Sequence, residues 1–262
     1  MIFDRLLLTG AAGKLGSILR PALRSQVAFL RSTDIKPLPE SQAAANEELV
    51  IADLSDRSTA ARLVKDIDAV VHFGGIALES DYDSISRVNI DGTYYLYEAT
   101  RQAGVKRVVF ASSVHAVGFY EQLDVIDASV PQRPDTLYGL SKAFGEDLAR
   151  LYWDKYGLET VCIRIGSSFP EPIDRRMMLT WLSFRDLIQL VSRSLTAPRV
   201  GHLTVYGISD NYVTFWDNRL AGILGYRPED TSEVYRDKIE RARPAPDKSD
   251  VVSRLQGGAY CL

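Results

Sequence analysis

Cysteine is nearly absent from this chain. Cys162 and Cys261 are its two cysteines, too few for a disulfide framework and without a spacing that would hold zinc, so no metal is expected. A reducing cytoplasm is the simplest setting for such usage. No apolar run approaches the roughly 20 residues that a membrane span requires. The opening Met1-Ile2-Phe3-Asp4-Arg5 lacks the basic start, long apolar stretch and small-residue cleavage site of a secretory signal. No block of Lys or Arg stands out and the formal net charge is −3, which argues against a nucleic-acid partner. Repeats and low-complexity tracts are also missing.

The chain does carry enough apolar material for a full core. Of its 262 residues, 46% are hydrophobic and 25% charged, a balance that needs no disulfide or metal staple. Short β-branched runs alternate with amphipathic stretches through the first two thirds. Leu6–Thr9, Val27–Asp34, Leu49–Asp53, Ala69–Gly75, Arg107–Ser113 and Thr160–Ile165 read as strands. Helices are expected from about Leu15 to Leu23, Ile85 to Ala103 and Leu137 to Tyr156. Alternation of this kind predicts a parallel sheet with right-handed crossovers, and the continuous apolar character fits strands covered on both faces. The fold class is therefore α/β, a Rossmann-type doubly wound parallel sheet. Beyond Ile165 the alternation weakens, with Pro170 and Pro172 in a loop, a helical pattern over Leu179–Leu195, a short strand at Leu203–Gly207 and a helix over Trp216–Gly225. Residues 1–166 are expected to form the cofactor portion. Residues 167–262 are expected to form a small substrate-binding cap within the same compact unit, part of it returning to the core.

The first strand runs into Gly10-Ala11-Ala12-Gly13-Lys14-Leu15-Gly16, which opens a helix. A phosphate needs close backbone approach and free N–H groups at a helix N-terminus, and a strand–glycine turn–helix supplies both. Asp34 closes the second strand about 20 residues further on. Its carboxylate suits the two adenosine ribose hydroxyls and repels a 2′-phosphate, favouring NAD over NADP. Asp53-Leu54 would hold the adenine amino group, or Asp53 would cap a helix, since Ser55 and Asp56 follow. Phe73, Gly74, Gly75 and Ile165, at strand ends, complete the expected cofactor set, with Gly74-Gly75 allowing close approach. Lys14 would contact the pyrophosphate or face solvent.

Tyr138-Gly139-Leu140-Ser141-Lys142 is the most specific feature. Residues at i and i+4 share a helix face, so the phenol and the ammonium converge. A neighbouring ammonium and a positive nicotinamide ring would favour the phenolate of a group that otherwise ionises near pH 10, making it a usable base. Ser113, about 25 residues upstream at a strand end, offers a hydroxyl to the reacting oxygen.

These three elements in this order resemble the extended short-chain dehydrogenase/reductase superfamily over essentially the whole chain. The resemblance implies Tyr138 as general acid/base, Ser113 as orienter of the substrate hydroxyl, and Lys142 as binder of the nicotinamide ribose that lowers the tyrosine pKa. It likewise implies Asn89 as a helix asparagine tied to a proton-relay water. Longer strings are similar to the bacterial uronate dehydrogenases: Leu-Thr-Gly-Ala-Ala-Gly from Leu8, Arg-Pro-Asp at 133–135, Arg-Ile-Gly-Ser from Arg164, Pro-Glu-Pro at 170–172, Met-Met-Leu-Thr-Trp from Met177, and Gln-Gly-Gly from Gln256. That likeness implies NAD-dependent oxidation of galacturonate and glucuronate at C1 to an aldarolactone. It places Arg176 on the substrate carboxylate, with Arg175 as competitor; an Arg fork suits a carboxylate where lysine acts as a point charge. Ser167 would contact substrate. His115, two residues past Ser113, would reach sugar hydroxyls. Ala77 and Val114 stand where relatives often carry serine and asparagine, so their backbone groups alone would serve the substrate. The rivals are a nucleotide-sugar epimerase or dehydratase on the same framework and a non-catalytic NAD-binding redox sensor. A homo-oligomer through the helices around Tyr94 and Phe144 is open, since those positions would equally pack the sheet.

Overall fold

The computed structural model describes residues 3–38, 44–242, 247 and 250–262; Met1 and Ile2 of the N-terminal reading lie outside them. The elements follow in chain order: β1 (Arg5–Thr9), α1 (Lys14–Arg24), β2 (Phe29–Asp34), β3 (Glu47–Ile51), α2 (Arg57–Leu63), β4 (Ala69–His72), α3 (Tyr82–Ile85), α4 (Gly92–Gln102), β5 (Arg107–Ser113), α5 (Leu137–Tyr156), β6 (Glu159–Ile165), β7 (Ser167–Ser168), α6 (Arg175–Thr180), β8 (Trp181–Leu182), α7 (Phe184–Thr196), β9 (His202–Gly207), α8 (Arg236–Ala242) and α9 (Val251–Arg254).

Seven strands form one parallel sheet in the order β3-β2-β1-β4-β5-β6-β9. Leu6, Leu7 and Leu8 are fully buried and every residue of β5 is buried, as strands covered on both faces demand. Leu19 and Leu23 of α1 join Leu187, Leu190 and Leu195 of α7 on one face. Leu63, Leu96, Tyr97, Leu148 and Tyr152, from α2, α4 and α5, cover the other. The chain lays strands outward from β1 to β3, then crosses back to β4 and continues the opposite way. The strand ends on either side of that reversal leave a crevice where such sheets bind ligands.

Several expectations change. The helical pattern over Leu179–Leu195 is two helices: the Trp181 carbonyl accepts from the Ser209 N–H (2.8 Å) and from Asn211 Nδ2 (2.9 Å), so the first helix ends. Trp181-Leu182 instead pair with Ser167-Ser168, and Ser183 caps α7 by accepting from the Asp186 N–H. Leu203–Gly207 is the seventh strand of the main sheet, so the segment after β6 builds core as well as cap. Trp216–Gly225 holds only a 3-10 turn at Arg219–Leu224. The helix expected over Ile85–Ala103 contains a π-helical turn at Ser86–Asp91.

At the other end of the sheet, the buried Arg107 guanidinium joins β5, β6 and α7. It donates to the carbonyls of Ser194 (3.1 Å), Leu195 (3.2 Å) and Ala197 (2.6 Å), and pairs with Glu159. Removing one partner of a buried pair strands the other. Arg107→Ala should therefore cost about 3–5 kcal/mol of folding stability, read as a lowered midpoint in urea or thermal unfolding; a change within about 0.5 kcal/mol, as at an ordinary surface site, would remove Arg107 from that role.

Candidate active site

The glycine turn is built by backbone contact. Gly10 has φ +72°, and a Cβ there would lie 2.5 Å from the Phe73 carbonyl; one at Gly16 would lie 1.9 Å from the Gly10 oxygen. β1, the turn and α1 thus pack with no room for side chains. Gly13 precedes α1 without a side-chain cap, leaving the first helical N–H groups for an anion. The Asp34 carboxylate spans the turn, accepting from the Ala12 N–H (3.0 Å) and the Lys36 N–H (3.0 Å). Asp53 accepts from the Ser55 N–H (2.9 Å) and hydroxyl (2.7 Å) and faces Arg87 at 3.7 Å. The cap of α2 is Asp56, so Asp53 has no capping duty.

All of the expected cofactor and substrate residues line a single cavity of about 660 Å³ at the C-terminal ends of the strands: Gly10, Gly13, Lys14, Leu15, Gly16, Asp34, Asp53, Leu54, Phe73, Gly74, Gly75, Ala77, Ser113, Val114, His115, Tyr138, Lys142, Ile165, Ser167 and Arg176. The glycine cradle and the aspartates at its rim fit an adenine dinucleotide. Lys14 lies exposed at the cavity's edge with its Nζ 3.0 Å above the Phe169 ring centroid, and partial burial lowers its pKa.

Tyr138 and Lys142 occupy the first turns of α5, which Thr136 caps by accepting from the Gly139 N–H (2.9 Å). The Glu79 carboxylate takes the N–H groups of Leu137 (3.1 Å) and Tyr138 (2.9 Å). Both side chains are buried, and burial opposes charge on each. It pushes the Tyr138 phenol up to about 12, partly offset by hydrogen bonding with Ser113, and the Lys142 ammonium down to about 8. The sequence had suggested a phenol lowered by its lysine. In the protein itself desolvation dominates instead, and Lys142 Nζ stands 5.6 Å from the Tyr138 ring centroid. His72 lies buried beneath, bonded to Thr9 Oγ1 (2.8 Å) and held neutral by burial and by Lys142, its pKa about 3. Asn89 does not line the cavity. Its Oδ1 accepts from the Ile76 N–H (2.8 Å), and its Nδ2 donates to the Ile76 carbonyl (2.9 Å) and to Ser141 Oγ (3.0 Å), clamping the loop after β4 onto α5.

At the other end of the cavity the Arg176 Nε donates to the Gln256 carbonyl (2.8 Å), while its Nη2 is buried with no hydrogen-bond partner. Arg175 points elsewhere, to Glu240, and of the two arginines Arg176 lines the cavity. Ser167 Oγ shares a hydrogen bond with Thr180 Oγ1 (2.9 Å). Sequence reasoning missed Asp135, Phe169, Gln256 and Tyr260. Of these, only Asp135 and Gln256 left a trace, in the Arg-Pro-Asp and Gln-Gly-Gly strings; the others meet the site only through the fold.

A family profile described as "NAD dependent epimerase/dehydratase family" matches residues 6–199. A uronate dehydrogenase of Pseudomonas syringae pv. tomato is 53% identical over 98% of this chain and 93% of its own length. The crystal structure of a glucuronic acid dehydrogenase from Chromohalobacter salexigens superposes with a TM-score of 0.96 at 47% identity, covering 99% of this chain and 97% of that one. A mutant uronate dehydrogenase of Agrobacterium tumefaciens complexed with NAD does so at 0.94 and 44% identity, over 98% and 97%.

Because the folded Lys142 binds its proton less tightly than the unfolded chain does, the unfolded state holds more protons between about pH 8 and the ordinary lysine value of 10.5. Stability rises with pH wherever that is so. The wild type should therefore gain stability relative to Lys142→Met as pH climbs from about 7.5 to about 9.5, a span that crosses the folded value and stays below the unfolded one, as read by melting temperature; a difference that stays flat refutes the burial assigned to Lys142.

Proposed function

The chain belongs to the NAD dependent epimerase/dehydratase family, and from that membership we propose that it oxidises uronic acids, D-galacturonate and D-glucuronate, at C1 to the aldarolactone with NAD. The observation that carries this reading is Arg176: its side chain lines the cavity that holds Tyr138, Ser113 and Lys142, and its Nη2 is buried without a hydrogen-bond partner. An unpaired buried cation is costly, and a carboxylate offers what its open edge lacks. The near full-length likeness to uronate dehydrogenases supports the same substrate.

Gly10, Gly13, Lys14, Leu15, Gly16, Asp34, Asp53, Leu54, Phe73, Gly74, Gly75 and Ile165 would hold NAD, which when bound supplies the hydride acceptor. Residues 1–166 carry this part, and residues 167–262 complete the substrate end within one compact unit. Arg176 holds the sugar carboxylate, and Ser167 and His115 take sugar hydroxyls together with the backbone at Ala77 and Val114. Ser113 orients the C1 oxygen. Tyr138 Oη accepts the C1 hydroxyl proton, with Lys142 beside it as the stabilising ammonium. The cytoplasm suits the unpaired Cys162 and Cys261. A second copy would meet Tyr94, which is exposed, rather than Phe144, which packs against the core.

Incubation with galacturonate and NAD should produce NADH, followed by its near-ultraviolet absorbance; no growth of that signal with either uronate removes the proposal. Tyr138→Phe should lower kcat by roughly 10²–10⁴-fold, the worth of a positioned general base, while NAD affinity, measured by calorimetry, is unchanged. Arg176→Ala should lower kcat/KM on uronates by roughly 10-fold or more, the value of a charge-assisted contact, and leave any activity on neutral hexoses unaltered. Equal losses on both sugars count against carboxylate recognition.

A further inference from the structure

His115 does not stand alone at the cavity wall. Its Nδ1 meets Asp135 Oδ2 at 2.7 Å, and the Asp135 side chain is wholly shielded from solvent. The other carboxylate oxygen accepts from the Thr136 hydroxyl (3.0 Å). Backbone closes in on this carboxylate. A Cβ at Gly118 would lie 1.8 Å from Oδ2, and one at Gly257 would lie 2.0 Å from it. The Tyr260 ring covers His115 at 4.1 Å between centroids, 39° from parallel, and the Tyr138 ring approaches edge-on at 6.0 Å. The His115 backbone N–H donates to Ser113 Oγ (3.2 Å).

We infer that Asp135 is a positioning residue that fixes His115 in its Nδ1–H form and so presents Nε2 to the cavity as an acceptor for one hydroxyl of the sugar. A buried carboxylate accepts and does not donate, so Nδ1 carries the proton that bridges them. The same hydrogen bond sets ring orientation, as backing carboxylates do for working histidines. Among the described residues Asp135 is the one polar side-chain partner of the His115 ring, so the ring's opposite edge is unspent. Ala77 and Val114 carry no side-chain donor or acceptor, and Ser167 already shares its hydroxyl with Thr180. His115 is thus the member of this set with a wholly uncommitted ring nitrogen for a sugar hydroxyl, and Asp135 sets its geometry. The sugar as ligand rests on the uronate reading above; the ring state does not.

Nitrogen NMR of protein labelled at its three histidines, assigned with His115→Gln, reads the tautomer directly in the wild type. The expected result is a neutral His115 protonated at Nδ1. An Nε2–H tautomer, or a ring that keeps both protons across the range of activity, overturns the inference. Asp135→Asn should reduce kcat/KM for uronates roughly 10- to 100-fold, mainly through KM, the worth of a buried charge-assisted hydrogen bond, with NAD affinity unchanged. Because Asp135 acts through His115, the double variant Asp135→Asn/His115→Gln should lose no more than His115→Gln alone; additive losses reject the coupling. If Asp135→Asn fails to fold, the wild-type tautomer still decides. A chain that turns over neither uronate yet shows the Nδ1–H ring would sink the substrate reading and spare the positioning one.

Discussion

Burial works against the charged form of both members of the Tyr138/Lys142 pair, and the site is organised around that cost. The end of a fully buried β5 and the Phe110 ring, 5.2 Å from Lys142 Nζ, supply the low-polarity floor. His72 beneath is neutral and adds no competing charge. The positive end of α5 would favour an anion at Tyr138, but Glu79 already occupies the N–H groups of Leu137 and Tyr138. The chain by itself therefore keeps the phenol protonated, near 12. Base strength then depends on further positive charge in the cavity, which an oxidised nicotinamide ring carries. This ties proton removal to the presence of the hydride acceptor.

A second constraint sits at the opposite wall. Gln256 is buried, and its side chain accepts from Trp216 Nε1 (2.9 Å) and donates to the carbonyls of Glu121 and Asp124 (2.9 Å each). Its backbone N–H goes to Tyr120 and its carbonyl to Arg176. One residue with every polar group satisfied thus carries the restraint from the loop after β5 to the arginine. The two ends of the cavity are built from opposite ends of the chain, which is why both must fold for either to work.

Much of this was legible before any coordinates. The alternation of apolar runs predicts the parallel sheet because the central strands β1 and β4, covered on both faces, are almost continuously apolar. The glycine turn, Asp34 and the Tyr138/Lys142 spacing were readable because each is local. The break at Trp181 was not, since it is caused by Ser209 and Asn211, nearly 30 residues downstream. α2 was missed because its seven residues, Arg57–Leu63, show little periodicity. The resemblance matches Asn89 to a helix asparagine; the clamp its side chain makes depends on Ile76 and Ser141, which no spacing rule links. The burial of Tyr138, which raises its phenol in the chain by itself, is another property of the fold that sequence does not show.

The family match ends at residue 199, and that boundary separates two kinds of information. The cofactor cradle, Tyr138, Lys142 and Arg176 all precede it. The groups that shape the sugar end from behind, the Gln256 carbonyl on Arg176 and the Tyr260 ring on His115, come after it. Members of a family that share the hydride chemistry can therefore differ in substrate through a segment the common profile does not reach. Here that segment closes the cavity: Tyr260 covers His115, and Gly257 and Gly258 press against Asp135 and Arg176.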